Sequence, residues 1–174
     1  MVEWLNIQGP LGTSQLLAMY DLGTSCTVID IDLAKKCGLE RSEANFTVST
    51  VTGKQGGSHV YTFYLIDKEN KRTRVQALGV KMRQEYPMVK VKVRGPWRRY
   101  FRGQEYQNAP GGYLGLLLGS DQSGIHPRQV SFDKTEILWK SWISGRYLIS
   151  GGRNSSSYPN INKISVQVKR DPPK

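Results

Sequence analysis

The chain has 174 residues, a net charge of +11 at pH 7 and two cysteines. This length suits a single domain with its own core and is too short for two domains of ordinary size. No apolar run approaches the roughly 18 residues that a transmembrane helix needs, and the N-terminal segment lacks the basic and apolar regions of a secretory signal. We therefore expect an intracellular, cytoplasmic protein with no membrane contact.

Metal and cofactor motifs are missing from the sequence. Cys26 and Cys37 lack metal-ligand spacing, and the chain has only two histidines, His59 and His126. This pattern argues against a zinc site and against a Cys-His nucleophile pair. There is also no phosphate-binding loop and no dinucleotide fingerprint. We expect neither a metal nor a cofactor.

Short strands and turns are favoured along the chain, because its 18 glycines alternate with short runs rich in β-branched and aromatic residues. A short helix is predicted over residues 33–37, with Asp30 or Asp32 as its N-cap and Gly38 after its last turn. A single helical turn is predicted at 121–124. The strands are predicted at residues 4–7, 15–20, 46–51, 58–66, 75–80, 113–118, 137–143, 146–149 and 164–168.

The segment 18–29 delivers one carboxylate to a tight turn. Apolar residues lead into Asp21, and Gly23 allows the backbone to reverse close to a second chain or a substrate. Thr24 and Ser25 supply hydroxyl groups that can hydrogen-bond the carboxylate. An aspartate in an ordinary turn has a similar local sequence, because Asp and Gly are common turn residues. Asp21 is the first candidate catalytic residue.

This segment resembles the active-site segment of retropepsin-like aspartic proteases. Residues 116–119 resemble a second element of that family. This element consists of two apolar residues and a glycine, and it packs beneath the active-site loop. Segments within 16–152 are more narrowly similar to the protease domain of BEL/Pao-type retrotransposon polyproteins. Residues 81–112 match poorly, and Leu22 stands where the family usually has Thr or Ser. The positions of 18–29 that match are Ala18, Asp21, Gly23, Thr24, Thr27, Val28 and Ile29.

The resemblance implies a mainly antiparallel, closed β-barrel with a flap hairpin that covers the substrate. It implies one domain over 1–174, with the core at about 14–128, a variable basic insertion at 81–112 and a C-terminal β extension at 129–174. The glycine-rich stretch 53–57 between two predicted strands is interpreted as the glycine tip of the flap. A plain exposed hairpin is the alternative, because glycine is common in tight hairpin turns. The substrate-binding residues implied are Ser25, Gly53, Gly56 and Gly57.

Aspartic proteases hydrolyse peptide bonds with two carboxylates that share a proton around one water molecule. This chain has one Asp-x-Gly turn, and neither Asp121 nor Asp133 reproduces it. The resemblance therefore implies a homodimer in which Asp21 of each chain forms the pair, while Gly23 shapes the turn and Thr24 orients the carboxylate. The implied substrate is a polypeptide, the chain's own polyprotein. In that family, the hydroxyl residue at the position of Leu22 forms hydrogen bonds across the twofold axis of the dimer, beneath the catalytic pair. Leucine cannot form these hydrogen bonds.

Residues 81–111 form a basic segment that holds eight basic and two acidic residues, and so more than half of the net charge. Aromatic residues are interleaved with these charges, which is typical of single-stranded nucleic-acid binding. Arg98, Arg99 and Arg102 are the candidate contacts. The alternative is a variable insertion whose charges are solvated and whose aromatic residues pack on the barrel. A second hypothesis for the whole chain is thus a catalytically impaired binding or assembly module that binds nucleic acid.

Overall fold

The computed structural model describes residues 1–50, 53–82, 84–151 and 167–170. Its helices are α1 (Ile31–Lys36) and two 3-10 helices (Gly95–Phe101 and Ser120–Ile125). In the described part of the chain, no helix is long and apolar enough to cross a membrane. The strands are β1 (Val2–Gly9), β2 (Gly12–Tyr20), β3 (Val28–Asp30), β4 (Glu40–Thr50), β5 (Gly53–Ile66), β6 (Arg72–Val80), β7 (Glu85–Tyr86), β8 (Val89–Lys92), β9 (Tyr106–Ala109), β10 (Gly112–Leu118), β11 (Arg128–Asp133), β12 (Glu136–Lys140), β13 (Tyr147–Gly151) and β14 (Gln167–Arg170).

Among the described residues, the main sheet has nine strands and follows the order β1-β2-β10-β3-β6-β5-β4-β14, with β7 paired to β10. β1 also pairs with β5. Six strands therefore form a continuous ring of pairings, in the order β1, β2, β10, β3, β6, β5 and back to β1. Most pairs are antiparallel, but β10 runs parallel to β2 and β3 runs parallel to β6. The predicted class, mostly β with short helices, agrees with this structure. The sheet begins at β1, ahead of the predicted core boundary at residue 14.

The second half of β2, from residue 16 to residue 20, is buried on both faces. Leu16 and Ala18 contribute to one apolar cluster, while Leu17 and Met19 contribute to a second cluster on the opposite face. This arrangement follows from the strand period of two, because an uninterrupted apolar run presents side chains to both sides of a sheet. Two apolar clusters thus enclose the strand that leads into Asp21.

The hairpin of β4 and β5 bends across the second apolar cluster. Glu43 pairs with His59 but Phe46 pairs with Gly57, so β4 carries one extra residue and forms a β-bulge there. A bulge bends its strand and increases the local twist. Beyond it, Phe46 and Val48 are buried in the second cluster. The outer half of the hairpin therefore packs on the sheet.

The prediction that residues 53–57 form the hairpin tip is wrong. These residues lie within β5, with Gly53 paired to Thr50 and Gly57 paired to Phe46. Residues 51 and 52, between the two strands, lie outside the described residues. Phe46 ring atoms occupy the space that a Cβ atom on Gly57 would need, so this glycine permits close packing. Gly53 has a φ of +131°, a conformation that favours glycine, at the start of the strand.

The predicted helix is confirmed, with α1 beginning two residues earlier than expected. The backbone N–H of Leu33 donates to Asp30 Oδ2 at 3.1 Å, so Asp30 is the N-cap. Gly38 follows the helix with a φ of +62°, the left-handed conformation that favours glycine. The local chemistry of the cap and the terminating glycine explains why this helix was predictable.

The C-terminal extension forms a three-stranded sheet in the order β11-β12-β13. The predicted hairpin corresponds to β12 and β13, whereas β11 was not predicted. Of the predicted strand at 164–168, residues 164–166 lie outside the described residues, and β14 pairs with β4 through Val168 opposite Val48. The extension packs against the basic segment, because Leu138 shares an apolar cluster with Val93 and Trp97.

A buried carboxylate joins this extension to the main sheet. Glu3 is only 2% exposed, and its Oε2 accepts hydrogen bonds from the hydroxyls of Tyr20 and Ser141 at 2.6 Å. Ser144 Oγ donates to the other carboxylate oxygen. Burial and the Glu3 carboxylate raise the pKa of Tyr20 well above its ordinary value, so its phenol remains a hydrogen-bond donor. The Glu3 carboxylate thus links β1, the end of β2 and the C-terminal extension.

Replacing Glu3 with Gln should lower the free energy of unfolding by about 1 to 3 kcal/mol, because an amide nitrogen cannot accept from a buried hydroxyl. The exposed Glu43 provides a matched control, and its change to Gln should have an effect within roughly 0.5 kcal/mol. Urea unfolding of both variants and the wild type measures the difference. Equal stability of Glu3→Gln and the wild type would contradict the assigned role of Glu3.

Candidate active site

Asp21 lies immediately after β2, in a turn whose own groups hydrogen-bond its side chain. The backbone N–H of Gly23 donates to Asp21 Oδ1 at 2.8 Å, and Thr24 Oγ1 donates to Oδ2 at 3.0 Å. The N–H of Thr24 also donates to the Asp21 carbonyl oxygen at 3.3 Å. Asp21 remains partly exposed while Thr24 is fully buried. The turn therefore holds an oriented carboxylate at the surface.

The Asp21 turn is fastened to β10 by backbone hydrogen bonds. The N–H of Asp21 donates to the Leu118 carbonyl oxygen at 3.0 Å, and the N–H of Ser120 donates to the Thr24 carbonyl oxygen at 2.7 Å. A Cβ atom on Gly119 would lie 2.7 Å from the Thr24 oxygen and 2.8 Å from the Cys26 backbone. Glycine is therefore needed directly after β10, where the backbone passes close to the turn.

Asp121 stabilises the same turn through hydrogen bonds to Thr27. Its carboxylate accepts from the backbone N–H of Thr27 at 3.0 Å and from Thr27 Oγ1 at 2.7 Å. Thr27 Oγ1 in turn accepts from the N–H of Gly119 at 3.2 Å. Asp30 is also engaged, because it accepts from the N–H groups of Leu33 and Met82. These two carboxylates join segments that are distant in the sequence, whereas the hydrogen bonds to the Asp21 carboxylate come from Gly23 and Thr24 of its own turn.

Leu22 and Ser25 occupy the exposed side of the turn. Leu22 is 62% exposed, and Ser25 and Gly23 are also exposed. Within the described ranges, no group of three or more His, Cys, Asp or Glu side chains could hold a metal ion.

The hairpin of β4 and β5 covers the sheet next to this turn. Phe46 and Val48 of the hairpin share the second apolar cluster with Met19 and Val28, which lie just before and just after the turn. Gly53, Gly56 and Gly57 lie on the paired strand β5. The structure therefore brings the outer half of the hairpin, which contains all three glycines, close to the segment that carries Asp21.

Tyr86 is a neighbour of Asp21 that sequence reasoning missed. It is 4% exposed in β7 and belongs to the second apolar cluster. Burial and, to a smaller extent, the negative charge of Asp21 raise the pKa of Tyr86 to about 12. Tyr86 lies in the basic segment, where no local pattern indicates a position beside Asp21.

His126 packs behind the turn. Its Nε2 is 2.9 Å from the Gly119 carbonyl oxygen, and its ring centroid is 5.3 Å from that of Tyr20. Burial lowers the pKa of His126, although the carbonyls of Gly119 and Leu118 and the charges of Asp121 and Asp21 oppose this shift. His126 is thus a packed residue with a hydrogen bond to the backbone.

The predicted nucleic-acid residues lie in and just after the first 3-10 helix. Arg98 is 3.9 Å from a Glu105 carboxylate oxygen, and Arg99 Nη2 donates to the Tyr100 hydroxyl at 2.8 Å. Arg102 follows the helix in the left-handed conformation, with a φ of 54°. The aromatic residues of this helix pack on the C-terminal sheet, whereas the alternative interpretation expected them to pack on the barrel. These aromatic residues are Trp97, Tyr100 and Phe101.

Comparison with known proteins supplied no relative: no family model, no curated protein and no solved structure matched the chain. The chemistry of the site is therefore inferred from its geometry. That geometry consists of one oriented, partly exposed carboxylate, two carboxylates engaged in backbone support, and an apolar side chain exposed beside the turn.

The lowered pKa of His126 predicts a pH dependence of stability. Below the ordinary histidine pKa the unfolded chain binds a proton that the folded chain does not bind, so this contribution is present above that pKa and lost as the pH falls. His126→Gln keeps an N–H donor for Gly119 but cannot titrate. Its free energy of unfolding should fall less steeply than that of the wild type between about pH 7 and pH 5.

Unfolding by urea at a series of pH values measures this slope, with His59→Gln as the control for the other histidine. The control should follow the wild-type slope more closely than His126→Gln does. Parallel profiles for His126→Gln and the wild type would contradict the role of burial at His126.

Proposed function

We propose that the chain is an aspartic endopeptidase that acts as a homodimer, with one Asp21 from each copy. The observation that carries this proposal is the Asp21 turn, in which both carboxylate oxygens accept hydrogen bonds from Gly23 and Thr24 while the side chain stays partly exposed. Asp121 and Asp30 instead join distant segments, because they accept from the N–H groups of Thr27 and Met82. A second copy is the natural source of the second carboxylate.

In this mechanism, the two Asp21 carboxyl groups share one proton around a water molecule. The ionised group removes a proton from the water, whose oxygen attacks the carbonyl carbon of the peptide, while the protonated group donates its proton to the carbonyl oxygen. The intermediate then collapses as the C–N bond breaks and a proton moves to the leaving amine. The two carboxyl groups titrate as a pair.

A closed, retropepsin-like barrel is the fold proposed with this function. The strand pairings that return to β1 support closure, because each of the six strands involved has a neighbour on both sides. Within this proposal the hairpin of β4 and β5 is the flap, and an extended segment of the polyprotein binds between it and the Asp21 turn. Ser25 and the three glycines of β5 are the proposed contacts to the peptide backbone.

Leu22 favours a second candidate function, a retropepsin-like module with impaired catalysis that serves in binding or assembly. An exposed leucine at a twofold interface supplies apolar contact, worth about 1.5 to 3 kcal/mol when fully buried. It supplies no hydrogen bonds to tie the two turns together. The two functions therefore differ in whether the dimer keeps the two Asp21 carboxyl groups in fixed positions.

Asp21→Asn should abolish peptide cleavage and leave the fold intact, because asparagine is nearly isosteric but cannot cycle a proton. Asp32→Asn is the control, since Asp32 is an exposed carboxylate in the first turn of α1. The control should retain activity and change stability by at most about 1 kcal/mol. Cleavage of a peptide library, with and without an inhibitor that mimics the tetrahedral intermediate, provides the measurement. Full activity in Asp21→Asn would overturn the proposed function.

Leu22→Thr should tighten the dimer by about tenfold and raise cleavage at low protein concentration, because a hydroxyl can form the missing cross-axis hydrogen bonds. Sedimentation equilibrium and a cleavage assay over a dilution series measure the two effects. Unchanged or weaker association would show that Leu22 already packs well against its symmetry mate, since threonine loses apolar burial.

A further inference from the structure

The hairpin formed by β8 and β9 has one covered face. Val91 is 7% exposed, and Val93, just after β8, is fully buried. On the opposite strand, Gln107 Nε2 donates to the Tyr147 carbonyl oxygen of β13 at 2.9 Å. The hairpin is therefore fixed against the C-terminal sheet, and its other face points to solvent.

The solvent face carries cationic, aromatic and amide side chains. Lys90 pairs with Asn108 and Lys92 pairs with Tyr106, so the strand period of two places all four side chains on the same side. All four residues are exposed, and Tyr106 is 48% exposed. Lys90 Nζ lies 5.5 Å from the centre of the Tyr106 ring. We call this surface the Lys-Tyr face.

The charges of the Lys-Tyr face are available to a ligand. Among the described residues, neither Lys90 nor Lys92 is in an ion pair. Glu105 is the acidic residue next to Tyr106, and its carboxylate lies 3.9 Å from Arg98. Arg99 and Arg102 lie in the connection between β8 and β9, and both are exposed. They add positive charge at the end of the hairpin where Lys92 and Tyr106 lie.

We propose that the Lys-Tyr face binds single-stranded nucleic acid. A base stacks on the exposed ring of Tyr106, the ammonium groups of Lys90 and Lys92 contact phosphates, and the Asn108 amide hydrogen-bonds a base edge or sugar. Open β surfaces that combine an aromatic ring with cations bind single strands in this way, because every base has a face that can stack. The net charge of +11 adds long-range attraction for a polyanion.

Two features of the Lys-Tyr face favour nucleic acid over other anionic partners. An acidic protein would pair with the lysines but would not need an exposed aromatic ring beside them. An anionic membrane would need several apolar side chains to insert, whereas this face has one tyrosine, with the exposed Met88 two residues before Lys90. No residue of the Lys-Tyr face belongs to the Asp21 turn, so this proposal does not depend on the proposed peptidase activity.

Fluorescence anisotropy with a labelled oligouridine of about 12 nucleotides tests the proposal in the full chain. The wild type should bind at low salt, with an affinity that falls steeply as the salt concentration rises. Lys90→Gln combined with Lys92→Gln should weaken binding and reduce the slope of log affinity against log salt by about 1.4. Lys35→Gln combined with Lys36→Gln removes the same charge from exposed positions of α1 and should leave most of the affinity intact.

The tyrosine variants separate stacking from simple charge attraction. Tyr106→Ala should weaken binding roughly 5- to 150-fold, while Tyr106→Phe keeps the ring and should bind like the wild type. The proposal is overturned by any of three results: no binding at low salt, equal losses in the two lysine pairs, or unchanged affinity in Tyr106→Ala. Each result is a measured affinity for oligouridine, so it does not depend on whether the chain cleaves peptides.

Discussion

The passage of β10 between β2 and β3 is the constraint on which the candidate site depends. This strand is parallel to β2 and antiparallel to β3, and it supplies the carbonyl of Leu118 that accepts the N–H of Asp21. Gly119 then brings the backbone close under the turn, where no side chain would fit. Asp121 completes the support through Thr27. The carboxylate of Asp21 is therefore oriented by a frame built mainly from backbone groups, which has few ways to move without breaking hydrogen bonds.

A buried polar cluster extends this frame to the C-terminal sheet. Glu3 receives hydroxyl donors from Tyr20, which precedes Asp21, and from Ser141 and Ser144 of the extension. A buried carboxylate is tolerated because each of its oxygens is hydrogen-bonded. Loss of the extension would remove the Ser141 and Ser144 donors from this carboxylate. The extension is thus part of the support of the strand that leads into Asp21, and the basic segment is held in turn by packing on the extension.

Features with a local chemical signature could be predicted from the sequence. The helix α1 has a capping Asp30 and a terminating Gly38, and Asp21 and Gly23 define their turn within three residues. The glycines of 53–57 were misplaced because glycine serves both turns and close packing, and only the position of the Phe46 ring distinguishes the two. Glu3 and Tyr86 were missed because their neighbours are distant in the sequence. A charged residue near an N-terminus and a tyrosine in a basic segment carry no local sign of burial.

The long sequence separation of the contacts under the Asp21 turn has a consequence for folding order. Thr27 and Asp121 are 94 residues apart, and Glu3 and Ser144 are 141 residues apart. Contacts of this range close large loops and form after local hairpins and helices. A nascent chain emerging from the ribosome can build β1, β2 and α1 early, but the carboxylate turn stays unsupported until β10 has been synthesised and inserted between its two neighbours. The hydrogen bonds that fasten the Asp21 turn to the sheet consequently form only after residue 121 has been synthesised, although those from Gly23 and Thr24 to the carboxylate are local.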